Sequence, residues 1–305
     1  MQSEGFVIDN DILSGIMPRQ GLSRHELDAI RGLAEICERH DGIKLKLNWS
    51  MLESRPAGET NDLLVYERGR LVGFCGIYAF LSTEAELSGM VHPDYRRRGV
   101  FTQLAAKAAQ LCRERGMQRL IYICPRNSEA GQSFLQRQNL PYRDSEYAME
   151  LSNASAVPLS AASLPSGVTL RQGGKDDLNQ LAELNRVGFG MSQEEATSLA
   201  AATLTPLEIP YLAERDGQAV GKLNVLFNDS AGLAFVFGFA VKPEERGRGI
   251  GRAMLSGVIE RIRKERGLAR FGLEVAATNE RALGLYESCG FRTVSVIDYY
   301  TQQLN

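Results

Sequence analysis

Histidine is nearly missing from this chain: His25, His40 and His92 are the only three. Five cysteines (Cys37, Cys75, Cys112, Cys124, Cys289) add no metal or redox spacing, so no metal constellation can be assembled and none is expected. Their odd number fits reduced, partly buried thiols of a cytoplasmic protein. Excess charge is missing too. The 35 basic and 37 acidic residues leave a formal net charge of −2, which gives no general pull toward nucleic acid or an anionic membrane. No apolar run is long enough to span a bilayer. The start, Met-Gln-Ser-Glu-Gly-Phe-Val-Ile-Asp, lacks the basic end and apolar core of a signal peptide. Trp49 is the only tryptophan; it reads either as packing in a core or between domains, or as the lining of a substrate cleft.

What is present is a repetition. Val91-His-Pro-Asp-Tyr-Arg-Arg-Arg-Gly-Val-Phe-Thr102 returns as Val241-Lys-Pro-Glu-Glu-Arg-Gly-Arg-Gly-Ile-Gly-Arg252, an offset of 150. Gly69-Arg-Leu-Val-Gly73 returns as Gly217-Gln-Ala-Val-Gly221 at 148, and Asn127 to Phe134 as Asn279 to Tyr286 at 152. A period this long is a domain. The expected organisation is a first domain over 1–151, a Ser/Ala/Pro-rich linker over 152–166 and a second domain over 167–305. In both copies short apolar strands alternate with helices, with hairpins around Gly69 and Asp216-Gly217. A capping box, Ser23-Arg-His-Glu26, announces the first helix. The pattern implies an α/β (α+β) fold of mixed, mostly antiparallel sheets flanked by helices.

Arg246-Gly-Arg-Gly-Ile-Gly-Arg252 follows a strand and opens a helix. A first helical turn leaves backbone N–H groups unpaired at the positive end of the helix dipole. Gly247, Gly249 and Gly251 keep side chains out of a phosphate's way, while Arg246, Arg248 and Arg252 supply charged donors suited to a diphosphate. Asn279 and Tyr286, seven apart, share one helical face. Gly238 interrupts the strand Ala234-Phe-Val-Phe-Gly-Phe-Ala-Val241, as at a bulge or a close backbone approach.

Together these residues resemble the GNAT superfamily of acyl-CoA-dependent N-acyltransferases. Its loop, Arg/Gln-x-x-Gly-x-Gly/Ala, is matched at Arg246, Gly249 and Gly251, and its second motif at Asn279 and Tyr286. The likeness spans about Val168 to Asn305 and is looser in the first copy. It implies acetyl-CoA as co-substrate. Its diphosphate would lie on Arg246 to Arg252, with Ile250 among them, near Asn279, and its pantetheine arm along Phe239, Ala240 and Val241. A backbone N–H there would polarise the thioester carbonyl. Tyr286 would protonate the departing thiolate. The implied acceptor is a primary amine of a small molecule.

The copies are unequal. The first keeps Arg96, Gly99 and Asn127 but has Phe101 in place of the last loop glycine and Phe134 aligned with Tyr286. It is therefore expected to be a degenerate copy, poorly equipped for this mechanism; the sequence does not decide whether it binds acyl-CoA. Glu86 stands where family members often carry a base, and at the 150 offset its counterpart is Val236. Glu208, Glu274 and Asp298 are then the candidate bases of the second copy, beside a water chain. Arg96-Arg97-Arg98 reads as a phosphate-loop remnant or a solvated turn. The expected function is an acetyltransferase acting in the second domain; the alternative is a non-catalytic acyl-CoA sensor or scaffold. The sequence does not speak to oligomeric state.

Overall fold

Chain order in each half follows the expected alternation of strands and helices. A computed structural model describes residues 15–55, 58–80, 82–152, 163–228 and 232–304. Most of the expected linker, residues 153–162, lies outside them. The first half runs β1 (Ile16–Arg19), α1 (Arg24–Asp41), α2 (Trp49–Glu53), β2 (Asp62–Glu67), β3 (Arg70–Tyr78), β4 (Glu84–Val91), α3 (Val100–Glu114), β5 (Arg119–Pro125), α4 (Glu129–Arg137) and β6 (Tyr142–Leu151). The second runs β7 (Val168–Gln172), α5 (Leu178–Phe189), α6 (Gln193–Ala202), β8 (Glu208–Arg215), β9 (Gln218–Asn228), β10 (Leu233–Val241), α7 (Ile250–Arg266), β11 (Arg270–Ala276), α8 (Glu280–Ser288) and β12 (Arg292–Gln303). The Ser23 capping box forms: the hydroxyl accepts from the Glu26 N–H while the Glu26 carboxylate accepts from the Ser23 N–H.

The compact units do not follow the sequence halves. One comprises Met1–Ser145 with Ser295–Asn305, the other Glu146–Val294. In the first unit the strand order is β1-β2-β3-β4-β5-β12; in the second it is β6-β11-β10-β9-β8-β7. The last strand of each sequence copy thus completes the other unit. This departs from the expected division at 151 and 167, because strand pairing is decided by matching faces and not by nearness in sequence. On β12, Ile297 and Tyr299 pack with Ile121 and Ile123 of β5, and Leu304 enters the core beneath α3. On β6, Met149 and Leu151 enter the core beneath α7 with Phe271 and Leu273. All neighbours are antiparallel within each unit except β4–β5 and β10–β11, which are parallel.

The sheet of each unit has two covered faces. In the second, Gly221, Leu223, Val225 and Phe227 alternate toward α7, whereas Leu212 of β8 packs with Leu181 and Leu184 of α5. In the first, Phe74, Tyr78 and Leu64 face α1 and α2. Trp49 packs against that same cluster, with the Arg31 guanidinium 4.8 Å from its ring centroid. All five cysteines are buried free thiols.

Deleting Ser295–Asn305 should unfold the first unit. Burial of Ile297, Tyr299 and Leu304 is worth about 1.5–3 kcal/mol each, a sum comparable to a domain's whole net stability, and the cut bares an edge along β5. Limited proteolysis should cleave residues 15–145 preferentially; equal resistance of the deleted and intact chains would contradict the exchanged-strand assignment.

Candidate active site

The site is built on β10. Its antiparallel ladder with β9 sets Phe237 opposite Asn224 and Ala240 opposite Lys222, so Gly238 and Phe239 together face one residue, Leu223. That extra residue is a β-bulge, and Gly238 takes it at φ +57°, a left-handed conformation costly to any residue with a Cβ. On its other side β10 pairs with β11 only as far as Val236. Beyond it the two strands splay, which leaves the edge of Phe237–Val241 without ladder pairs among the described residues.

Below the splay lies the arginine-glycine loop. Gly249 caps α7 at φ +81°, and the first helical bond runs from the Ala253 N–H to the Gly249 carbonyl, 3.1 Å. The N–H groups of Ile250, Gly251 and Arg252 therefore have no acceptor within the helix. Ile250 itself is buried in the core, so it offers its backbone alone. Arg246 is exposed and donates from Nε to the Val241 carbonyl, 2.9 Å. Arg248 and Arg215 both bind Glu245, at 3.4 and 3.1 Å. Arg252 and Gly247 are exposed. Unpaired amides, a glycine at each close approach and exposed guanidinium groups are the donor set that a diphosphate needs.

Tyr286 stands on α8, buried, its ring 6.4 Å from that of Phe239 and 6.1 Å from that of Phe291. Burial pushes its phenol up to about 12, and its hydroxyl has no hydrogen-bond partner among the described residues. Asn279 caps α8, its Oδ1 accepting from the Ala282 N–H at 3.2 Å. Its amide nitrogen, on an exposed side chain, stays available.

The first unit has the same loop in a different state. Gly99 adopts φ +80° and Arg96 Nε reaches the Val91 carbonyl at 3.0 Å, matching Gly249 and Arg246. The Arg96 guanidinium, however, is clamped by both Asp41 oxygens at 2.7 Å. Asp41 ends α1 where Phe189 ends α5, so the second unit has no carboxylate there. The β3–β4 ladder runs unbroken from Gly73↔Val91 to Tyr78↔Glu86, without a bulge. Phe101 points inward over Gly89 and meets Phe134 edge-on, 4.9 Å between centroids.

Register corrects two sequence pairings. Tyr78↔Glu86↔Ile121 corresponds to Leu226↔Phe235↔Gly272, so the counterpart of Glu86 is Phe235 and not Val236; the bulge shifts the offset by one. The Leu140 N–H bonds the Leu135 carbonyl as the Phe291 N–H bonds that of Tyr286. Leu135, not Phe134, therefore matches Tyr286, and the capping Ser128 matches Asn279. No acid and no phenol is gained by either correction. Asp298 is also removed as a base for the second copy. It belongs to the first unit, buried, where it accepts from Arg126 at 2.8 Å and from Ser145 Oγ at 2.7 Å. Glu208 and Glu274 remain on the α5 face of the second sheet, and burial raises the Glu208 carboxyl.

Sequence reasoning missed Lys222 and Asn224. They project from β9 on the α5 face, 1% and 2% exposed. Their alternation in Ala219-Val-Gly-Lys-Leu-Asn-Val-Leu-Phe227 was the available signal, two polar residues on one face of an apolar strand. A Cβ on Gly238 would lie 2.9 Å from Asn224 Nδ2 and 3.4 Å from Lys222 Nζ, so both side chains rest against the bulge. The positions matching them in the first unit are Phe74 and Gly76, the latter overlain by Tyr78 and Phe74. One unit buries two polar side chains where the other buries an aromatic ring over a glycine.

A splayed, bulged strand over an amide-rich helix start defines an acyl-CoA-binding transferase domain. The sequence model of the Acetyltransferase (GNAT) family matches residues 28–139 and again 178–291, and the chain belongs to that family. It is 30% identical over 300 residues to the mycothiol acetyltransferase of Thermomonospora curvata, covering 90% of this chain and 93% of that one. Among solved structures, a GCN5-related N-acetyltransferase from Sphaerobacter thermophilus superposes with a TM-score of 0.79 at 20% identity, over 95% of this chain and 96% of that one. A tandem GNAT protein from the clavulanic acid biosynthesis pathway gives 0.79 at 18% identity, over 95% and 98%. Among the described residues no helix is long and apolar enough to cross a membrane.

Burial lowers the Lys222 ammonium to about 8, with no carboxylate offsetting it. The charged form is penalised in the native state and not in the unfolded one, so the penalty is complete below pH 8. It fades as pH rises toward the ordinary lysine value near 10.5, because the native state sheds its proton first. Lys222→Met should therefore stabilise the protein by on the order of 2 kcal/mol at pH 7. Denaturation midpoints of variant and wild type should converge between pH 8 and 10.5; a gap that does not narrow would show that the ammonium is not penalised.

Proposed function

We propose that the second unit transfers the acetyl group of acetyl-CoA to a primary amine of a small molecule. The observation that carries this is the bulge at Gly238, which only the second of the two otherwise matching sheets possesses, set beside a phenol whose hydroxyl is unengaged. In the reaction a neutral amine attacks a thioester carbonyl and a thiolate leaves. Arg246 and the amides of Gly249 to Arg252 hold the diphosphate, joined by Gly247, Arg248 and Asn279. Phe239, Ala240 and Val241 offer a strand edge free of ladder pairs to the pantetheine amides, and a backbone N–H there stabilises the oxyanion. Burial keeps the Tyr286 phenol protonated throughout the neutral range, so its O–H stands as a hydrogen-bond donor toward the sulfur on which charge builds as the thiolate departs. Glu208 and Glu274 share the face on which the amine must be deprotonated. The mycothiol acetyltransferase name of its relative supports a small-molecule acceptor.

The first unit is a degenerate copy on this reading: Leu135 replaces the phenol and the strand beside the splay is unbulged. Tyr286→Phe should lower kcat by about 10²-fold or more while acetyl-CoA affinity is retained. If no amine from a broad panel stimulates thiol release from bound acetyl-CoA, the non-catalytic sensor reading replaces the enzymatic one.

The two loops should respond differently. Arg246→Ala should weaken acetyl-CoA binding about tenfold, the worth of one charge-assisted hydrogen bond. Arg96→Ala should leave that binding unchanged and lower stability, since its guanidinium serves Asp41. Calorimetry with each variant checks this; an equal loss of affinity would show two working sites.

A further inference from the structure

A buried ammonium with no counter-ion is rare, because moving a charge out of water costs far more than packing returns. Lys222 is in that state. Its cross-strand neighbours are Leu212 on β8 and Ala240 on β10, and from α5 it meets the Phe189 ring, 5.9 Å from Nζ to the centroid. No ion pair or hydrogen bond to Nζ occurs among the described residues, and α5 brings no acid to it. The α5 pair Glu183–Arg186 is satisfied within itself at 2.8 Å. One strand position further on, Asn224 Oδ1 is buried with no donor. Its cross-strand neighbours are Pro210 and Phe237, which supply none.

The two deficits are complementary. Lys222 lacks an anion, Asn224 lacks an N–H or O–H donor, and both lie against Gly238 at the bulge. A hydrophobic lysine site would be filled by an apolar residue, as Phe74 fills it in the first unit. We propose that Lys222 and Asn224 form a substrate subsite that binds a carboxylate through the ammonium and an N–H through the amide oxygen, beside the reacting centre of the second unit. A ligand carrying both groups is an amino carboxylate, which assigns the anion to the acceptor. The same carboxylate chemistry also occurs on the acyl group of a dicarboxylic acyl-CoA. This inference rests on acetyl transfer in the second unit.

The test uses the full chain. Binding is read from the ε-carbon resonances of ¹³C-labelled lysine, with the Lys222 signal identified by its loss in Lys222→Met. Titration with 4-aminobutyrate should move that signal saturably, and its methyl ester should not. Should succinyl-CoA move it and no amino carboxylate do so, the subsite stands with the acyl donor as the source of the anion. If neither moves it, the proposal is overturned. Turnover is read with glycine, β-alanine and 4-aminobutyrate against their methyl esters. Wild type should favour the free carboxylate tenfold or more in kcat/KM, chiefly through KM, and Lys222→Met should bring that ratio close to one. A loss in kcat shared equally by acid and ester, with a displaced pH profile, would make Lys222 a proton carrier and overturn the proposal. The thermal stability of Lys222→Met, expected at or above wild type, separates these results from misfolding. Calorimetric binding of acetyl-CoA tests the transferase reading by itself: its failure would remove that reading, whereas a silent Lys222 signal with acetyl-CoA still bound removes only the subsite.

Discussion

One extra residue in β10 governs the second unit. With Gly238 and Phe239 set against Leu223 alone, the strand must kink, and the kink falls where β10 has just left β11. Backbone groups that would otherwise pair in the sheet then face a gap that opens toward the start of α7. The constraint is conformational before it is chemical. Only a glycine holds φ +57° cheaply at this point, and a Cβ there would also strike the Asn224 amide. The first unit has the splay without the kink, and its strand continues in register to Val91.

Aromatic packing around the splay follows from the same difference. In the first unit the ring comes from the helix: Phe101 lies over Gly89. In the second it comes from the strand: Phe239 lies by Gly251, with Phe239 Cζ 3.6 Å from where a Cβ would be. Volume is kept while the donor element changes. The exchange clears the first turn of α7 of a large side chain and lays a ring beside Tyr286. Desolvation by that surround keeps the phenol protonated, so the packing that supports the strand also sets the protonation state of Tyr286.

Much of this was legible in the sequence. The arginine-glycine loops, the capping box at Ser23 and the interruption at Gly238 all rest on local rules: a cap, a turn or a break in a pattern within a few residues. Pairing was not legible. Nothing local in Tyr142–Leu151 or Arg292–Gln303 says which β-edge each will join, since both alternate and both satisfy either core. For that reason Asp298 falls in the first unit and not the second; Glu86 and Tyr286 shift by one for other reasons, the bulge in β10 and the capping residue of each helix. Fixed-offset comparison cannot see a bulge; only the ladder can. Lys222 and Asn224 were overlooked for a related reason. A single lysine in a strand ordinarily lies at an edge or a surface, and its burial depends on α5, which arrives from forty residues away.

The two buried polar side chains of the second unit also bear on how a duplicated fold divides its labour. Stability favours the first unit's solution, where Phe74 and Tyr78 are wholly buried and α1 closes over them. The second unit gives up that packing and keeps a charge that lowers its stability across the neutral range. Two orphaned polar groups against a left-handed glycine make a costly arrangement to maintain for packing alone, since an apolar pair would fill the same space. The cost is offset only when something binds, because a ligand that supplies the missing anion and donor removes both penalties together. On the proposed reading, the face that gives up packing is the one that takes the acceptor, and the better packed copy is the one without that subsite.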